Sequence, residues 1–329
     1  MRDGRSARGA RFSWAPLAAA DGRCGRGERG NARGESGLAC ADARRHTVSV
    51  QDEVEPSASA PREGTLERWA WDYVLSTELS RKRAPGPAPL ARDESFVATR
   101  AIRPGRPATW VRATRKDKTP RPGALADPKK RAALLHVFAH HELQAAELFA
   151  WAMLAFADAP DAFVRGLASL LRDEARHFAM YEAHLATLGV PFGSLPIRDW
   201  FWERVPSAKD AASYCALVGL GFEAGNLDHT ARFASAFRAA GDPKAADITE
   251  RIGGEEVAHV RFAVRWFRAL GGTLDFASFE RALPPPLTPL VMRGKPLDRT
   301  RRLEAGFPAD MIDALDAWQP AEPAARATR

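Results

Sequence analysis

Two short runs in this sequence have residue types and a spacing suited to holding a metal ion: Glu174-Ala-Arg-His177 and Glu256-Val-Ala-His259. Residues three apart on an α-helix share a face, so in each run the carboxylate and the imidazole point the same way. One such run is commonplace on a charged helix, where the glutamate serves as an ordinary surface salt-bridge partner. The flanking residues argue against that reading. The first run continues a stripe of Leu167, Leu170, Leu171, Phe178, Tyr181 and Leu185, and the second a stripe of Ile248, Ile252, Val260, Ala263, Phe267 and Leu270. Polar groups in the middle of an apolar face are expected to be buried, and an unpaired buried carboxylate costs several kcal/mol or changes its protonation. A metal ion would satisfy both groups at once.

Two more carboxylates match. Glu142 lies on the stripe Leu135, Phe138, Ala145, Ala146, Phe149, Met153, and Glu223 lies among Ala216, Gly219, Leu220 and Leu227, each alone on its face. Glu142 precedes Glu174 by 32 residues and Glu223 precedes Glu256 by 33, while the offsets between copies are 81 and 82. The chain therefore holds two copies of one helix pair. At a rise of 1.5 Å per residue, Glu142 and Glu174 both fall roughly 20 Å from the same end of their pair. All six side chains can meet in one layer. Four oxygen donors and one nitrogen for each of two ions suit Fe or Mn better than a thiolate-seeking metal, and no cysteine is placed to contribute.

The elements that would position these groups have readable limits. Asp127-Pro128 and Asp242-Pro243 each supply an N-cap followed by proline at the first helical position. The first long helix is predicted to run from there to about Phe156, the second from about Asp161 to Gly189, and the fourth from Pro243 to Gly271-Gly272. The third is expected to begin behind Ser207, in a Ser-x-x-Asp capping box with Asp210, and to stop at Gly241. Residues 127–271 thus form the expected di-metal domain. Residues 1–62 lack apolar periodicity and read as a disordered tail or as sequence upstream of the true start. Residues 63–126 read as a helix with the stripe Leu66, Trp69, Ala70, Tyr73, Val74 followed by a proline-rich basic wrap. Residues 272–329 read as an irregular extension, with an amphipathic stretch from Ala309 to Trp318, packing outside the helices.

Composition narrows the class. The 329 residues contain three cysteines, an odd count with no disulfide framework, and no apolar run long enough for a membrane span. A soluble cytoplasmic protein with no membrane partner is the expectation. The net charge of +7 is concentrated in residues 61–130, which hold 16 Lys and Arg against 8 Asp and Glu. Arg81, Lys82, Arg83, Arg112, Arg115, Lys116, Lys118 and Arg121 there form either a solvated loop face or a surface for an anion such as nucleic acid.

The runs Glu142-Leu-Gln-Ala, Asp173-Glu-Ala-Arg-His177, Glu223 and Glu255-Glu-Val-Ala-His259 resemble the metal motifs of the ferritin-like superfamily. That superfamily includes bacterioferritin, ribonucleotide reductase small subunits, acyl carrier protein desaturases and a tRNA hydroxylase. The similarity is greatest to a bacterial ferritin-like branch of unassigned function. The resemblance implies an all-α, ferritin-like four-helix bundle with one long crossover, for which the 19 residues from Gly189 to Ser207 suffice. It implies two Fe ions, or Mn or a mixed pair, with Glu142 and Glu223 as terminal carboxylates, Glu174 and Glu256 as bridges, and His177 and His259 as nitrogen ligands. It also implies an oxygen-dependent oxidoreductase acting on dioxygen and an organic substrate that the sequence does not name, with an electron donor equally unnamed. An iron-binding or iron-oxidising protein, an RNA-modifying hydroxylase and a metal-free helical scaffold are the alternatives.

Other residues carry less. Tyr181, one turn after His177, is either a packed tyrosine with a satisfied hydroxyl or a redox-active one. Glu147 and Asp228 mirror each other in the repeat on mixed faces, which suggests support of the ligands or a surface role. His140, His141 and His229 read as capping or packing residues. Gly219, Gly221 and Gly225 weaken a helix by nearly 1 kcal/mol each, which close helix contact or an open path for oxygen and substrate would explain.

Overall fold

The computed structural model describes residues 59–114 and 117–320. Most of the tail expected over 1–62, together with Arg115 and Lys116, lies outside them. Among the described residues the chain is all-helical, with one isolated β-bridge between Arg112 and Ile197. No helix there is long and apolar enough to cross a membrane.

The first described helix, α1 (Leu66–Leu75), starts where Thr65 accepts a hydrogen bond from the Arg68 amide, and it buries the expected stripe Leu66, Trp69, Ala70, Tyr73 and Val74. The short α2 (Leu79–Arg83) follows, and the chain then wraps irregularly to Asp127. Asp127 and Asp242 cap the long helices α3 (Pro128–Ala155) and α7 (Pro243–Ala269) by accepting from Lys129 N and Ala245 N, each with proline in the first turn. Between them run α4 (Asp161–Thr187), α5 (Ala211–Tyr214), a π-helical stretch (Cys215–Glu223) and α6 (Ala224–Ala239).

Helix α3 packs on α4, the π stretch and α6 pack on α7, and α4 meets α7. Leu135 and Leu143 of α3, Phe178 and Leu185 of α4, Phe237 of α6 and Ile252 of α7 belong to one buried core. The connection from α4 to α5 climbs along α3: Gly193 N donates to His136, Phe201 N to Gln144, Trp202 to Glu147, and the Tyr214 hydroxyl to the Leu148 carbonyl. Because of this climb, α4 and α6 run in one direction and α3 and α7 in the other.

The third long segment differs from the single α-helix expected. Ser207 ends a 3-10 turn (Val205–Ser207), and the capping box is formed by Asp210 with Ser213. A proline at residue 206 and the bond from Ala208 N to the Val205 carbonyl close that turn before a helix can begin. The wider turns over Cys215–Glu223 include two glycines with close partners that one chain segment cannot reveal: a Cβ on Gly219 would lie 2.0 Å from Ala263 Cβ, and one on Gly221 would lie 2.5 Å from Met292 Sδ. These glycines serve close approach, of α7 on one side and of the C-terminal segment on the other.

After α7 come α8 (Phe276–Ala282), a 3-10 turn (Pro289–Met292), α9 (Arg299–Ala305) and α10 (Ala309–Ala317). The amphipathic stretch forms α10, which buries Met311, Ile312 and Leu315 and packs on α8 and α9. Helix α9 lies on α6 and α7, and the 3-10 turn lies on the π stretch.

Glu147 and Asp228 occupy neither a surface nor a ligand-supporting position. Glu147 is fully buried and holds the N-terminal extension through Lys82 Nζ at 2.8 Å and Arg106 at 2.6 Å. Asp228 holds the C-terminal extension through Arg302 at 2.6 Å and the amides of Gly294 and Asp298 at 2.8 and 2.6 Å. The basic segment is correspondingly less free than its composition suggests. Lys82 is buried, while Arg81, Arg83 and Arg112 pair with Asp72, Glu182 and Asp199. Lys118 and Arg121 are exposed.

Candidate metal centre

Each of the four long segments brings carboxylate or imidazole groups to one buried layer: Glu142 from α3, Glu174 and His177 from α4, Glu223 from the end of the π stretch, and Glu256 and His259 from α7. Their ligand atoms form two overlapping groups, Glu142, Glu174, His177, Glu256 and Glu174, Glu223, Glu256, His259, within each of which every atom lies within 4.8 Å of the others. Glu174 and Glu256 belong to both groups. Each of the other four residues belongs to one.

The nearest approaches are Nδ1 of His259 to Glu174 Oε1 at 2.8 Å and to Glu256 Oε2 at 3.2 Å, and Nδ1 of His177 to Glu174 Oε2 at 3.4 Å and to Glu142 Oε2 at 3.5 Å. These contacts are close but badly aimed for hydrogen bonding. Nδ1 of both histidines, Glu174 Oε1 and Glu256 Oε2 are buried with no hydrogen-bond partner. Buried polar atoms are nearly always satisfied, so orphans aimed into a common space mark a place for something else. The donor set, hard oxygens with one imidazole nitrogen per group, fits two divalent ions of the Fe or Mn kind.

Without such ions the cluster holds protons. Burial lifts the Glu142 carboxyl well above its ordinary value, against the pull of His177, and Glu174 adds to the rise. Burial likewise lifts Glu223, with Glu256 and Glu174 contributing. Burial opposes charge on His177 and His259, but their carboxylate neighbours outweigh it, and both imidazoles hold their protons well above the usual range. Burial would also raise Glu174, but the two imidazoles beside it carry its carboxylate well below the usual range. A bound cation would displace these protons.

The outer nitrogen of each imidazole faces an acid, with a hydrogen bond at His177 and a longer charge contact at His259. His177 Nε2 lies 2.8 Å from Glu255 Oε2, and His259 Nε2 lies 3.6 Å from Asp173 Oδ2. The pairing crosses, because each acid comes from the other histidine's helix. A visible signal existed: both motif glutamates follow directly on another acid, as Asp173-Glu174 and Glu255-Glu256. Asn226, which donates to Glu256 Oε1 at 3.4 Å, had no such signal.

Tyr181 is buried, and its hydroxyl lies 3.1 Å from Thr249 Oγ1, which itself donates to the Ala245 carbonyl at 2.8 Å. The single Thr249 proton is thereby used, so the tyrosine donates. Burial raises its phenol well above the ordinary value, with Glu142 and Glu256 adding to the effect. His136 and His140 stand outside the layer, against Gly193 N and Asp199 of the connection.

No solved structure matches this chain. An uncharacterized protein of Haemophilus influenzae is 29% identical to it over 200 residues, which are 58% of this chain and 69% of the relative. Residues 64–313, including both extensions as well as the helices that carry the site, match the family described as protein of unknown function (DUF455), and the chain belongs to that family.

Proposed function

We propose that this chain is a ferritin-like two-metal carboxylate protein that binds two Fe ions, with Mn or a mixed pair as the alternative occupants, and acts as an oxygen-dependent oxidoreductase on an organic substrate. The observation that carries the reading is the convergence of six buried groups from four helical segments, with four of their polar atoms orphaned. A surface cluster of acids would repel and solvate; this one is enclosed in a hydrocarbon core and includes a nitrogen donor for each ion.

In this reading Glu174 and Glu256, which belong to both groups, would be available to both ions, while Glu142 with His177 and Glu223 with His259 would hold one ion each. Such a pair of ions supplies reduction of dioxygen by two electrons from the two metals. The protein's own part is to hold Nδ1 of each imidazole free for coordination by engaging Nε2 with a carboxylate, and to release the protons stored on Glu142, Glu223 and the imidazoles as cations enter. Apolar walls exclude bulk water from the layer.

The alternative of an iron-binding or iron-oxidising protein without an organic substrate draws on Asp173 and Glu255, which are part-exposed and lead from solvent to the imidazoles. An RNA substrate is less well supported, since the named cations Lys82, Arg81, Arg83 and Arg112 already pair with carboxylates.

The test is anaerobic loading of the full-length protein with Fe(II), metal analysis, then exposure to oxygen. Two ions per chain and rapid oxygen consumption are expected. A chain that retains no metal after desalting would end the reading. Release of the oxidised iron into solution or into a mineral, with turnover sustained by fresh Fe(II) alone, would replace the oxidoreductase with the ferroxidase.

A further inference from the structure

On the outer side of the two histidines, α4 and α7 present an arrangement that the metal ligands themselves do not require. Arg176 NH2 donates to Asp173 Oδ1 at 2.8 Å, and Arg176 NH1 lies 2.7 Å from Glu255 Oε2. Asp173 faces His259 and Glu255 faces His177. A single guanidinium therefore stands within ion-pair distance of both acids and links one imidazole to the other, His259, Asp173, Arg176, Glu255, His177, with hydrogen bonds at Arg176–Asp173 and Glu255–His177 and charge contacts at the other two steps. Resting on the two-metal reading above, we propose that Arg176 is a positioning residue that couples the two imidazole ligands, so that both metal positions depend on one side chain.

The repeat gives the arrangement its logic. The motif on α4 has arginine immediately before its histidine, whereas the motif on α7 has Ala258 at the matching position. Each half supplies an acid to the other's histidine, but only one half supplies the cation, and it lies across the boundary between them. A second arginine at position 258 would bring a like charge to the same pair of carboxylates. Arg251 instead takes the remaining oxygen, Glu255 Oε1, at 3.0 Å. The planar fork of an arginine can bridge two carboxylates in fixed geometry, which a lysine ammonium cannot.

Fixing both acids has a chemical consequence for the site. A carboxylate beside Nε2 selects the tautomer with its proton on Nε2, leaving the Nδ1 lone pair for a metal, and it also sets the ring's orientation. Loss of the shared cation frees Asp173 to rotate toward solvent and leaves Glu255 with Arg251 as its one remaining arginine, so the outer anchors of both rings are loosened. By contrast, a half-exposed ion pair as such contributes little to folding. Arg176 and Asp173 are each 39% exposed. Positioning and folding roles therefore separate cleanly in measurement.

The experiment is stepwise titration of the full-length protein with Co(II), followed by calorimetry and by the visible ligand-field spectrum, alongside urea unfolding of the cobalt-free protein. Arg176→Ala is expected to weaken both binding steps by about 10–100-fold, the range for lost outer partners of metal ligands, and to shift the spectrum, with the urea midpoint near that of the parent. In an Asp173→Asn, Glu255→Gln background the same substitution should add no further loss, because the acids it acts through are gone. Arg176→Lys, which keeps a cation and safeguards the test if the alanine variant folds poorly, should restore one step at most. The proposal is overturned if Arg176→Ala leaves both steps at parental affinity, weakens one alone, or costs as much in the double background, and equally if Arg176→Lys behaves like the parent. A parent that takes up no Co(II) or Fe(II) would instead remove the two-metal reading, a result visible before any variant is made.

Discussion

The two helix pairs place equivalent groups at equivalent depth, yet they are built differently around them. In the first pair, Phe138 and Tyr181 lie one turn from Glu142 and His177, and both are bulky; at the matching positions of the second pair stand Gly219 and Ala263. The first pair is regular α-helix throughout, whereas the second contains the π stretch that ends on Glu223. Volume that the second pair lacks is supplied from outside, by the fully buried Met292 against Gly221 and Gly225. A repeated unit has thus kept its layer of acids and imidazoles while dividing the work of filling the core between itself and the C-terminal extension.

The matched acids Glu147 and Asp228 show the same divergence. Lys82 and Arg106 at Glu147 have other partners: Lys82 donates to the carbonyls of Tyr73 and Val74, and Arg106 also reaches Asp199. Arg302 at Asp228 is fully buried, and besides Asp228 it stands 5.7 Å from the Phe307 ring. Breaking a buried pair by removing one partner typically costs about 3–5 kcal/mol, since an uncompensated charge is left inside. Asp228→Ala should fall at the upper end of that range, because it strands Arg302 and two backbone amides. Glu147→Ala should fall at the lower end. Urea unfolding of both variants checks the order, and a larger loss for Glu147→Ala would show that partner redundancy does not protect the first clamp. Limited proteolysis of Asp228→Ala should cut first in residues 283–298.

A second comparison sets shared against private ligands. Removing Glu174 or Glu256, which serve both groups, should reduce binding from two ions to fewer than one, whereas Glu142→Ala or Glu223→Ala should leave about one ion tightly held. Metal analysis after desalting decides it. Equal losses from all four would mean that the layer binds as one unit, without two distinguishable positions.

The proton inventory gives a pH dependence with a definite sign. Glu142, Glu223, His177 and His259 all have folded-state affinities for protons above their unfolded ones. Such groups contribute stability that is present below the unfolded pKa and lost as pH rises through the folded one. Glu174 works the other way, in the acid range below its ordinary value. Burial lowers the proton affinity of His136, His140, His141 and His229, which pull the other way in acid and are neutral in both states above the ordinary histidine value. Between about pH 6.5 and 8 the metal-free protein should therefore lose stability as pH rises, while metal affinity increases because fewer protons must be displaced. The gain in thermal midpoint on adding Mn(II) should grow over this interval. A gain that shrinks toward pH 8 would contradict the protonation assigned to the cluster.

Much of the architecture was legible because it is local. Asp127-Pro128 and Asp242-Pro243 mark helix starts through contacts within one turn, and the stripes around Glu174 and Glu256 mark buried faces through helical period alone. What escaped depends on distant partners. Lys82 and Arg302 lie 65 and 74 residues from the acids they satisfy, so nothing near Glu147 or Asp228 announces a clamp. The close approach of α7 and Met292 to Gly219 and Gly221 of the π stretch, and the crossed partners of the histidines, both come from segments meeting side by side. Ser207 was a plausible cap by its own neighbours, but the turn closed by Pro206 took precedence.

The smallest effect is expected at Tyr181, where the two pairs differ by a whole ring from Ala263. Two roles make different demands on its hydroxyl. A redox-active phenol must give up its proton to a base within reach when it loses an electron. Here the hydroxyl donates to Thr249, whose own proton is committed to the Ala245 carbonyl, so the acceptor is neutral and has no proton site to spare. A packed tyrosine asks only that the hydroxyl be satisfied in the core, which Thr249 does. Tyr181→Phe keeps the ring and nearly all its volume, so the cost should be about the net value of one neutral hydrogen bond, roughly 0.5–1.5 kcal/mol. Thr249→Val, which removes the same bond from the other side, should cost a similar amount, and the double variant should cost less than the sum. Metal stoichiometry and the rate of oxygen consumption by the Fe(II)-loaded protein should match the parent in both. If instead Tyr181→Phe slows oxygen consumption or alters the absorption that follows it while Thr249→Val does not, the ring carries an electron in spite of its hydrogen bond, and the difference between the two pairs at this position is one of chemistry as well as of packing.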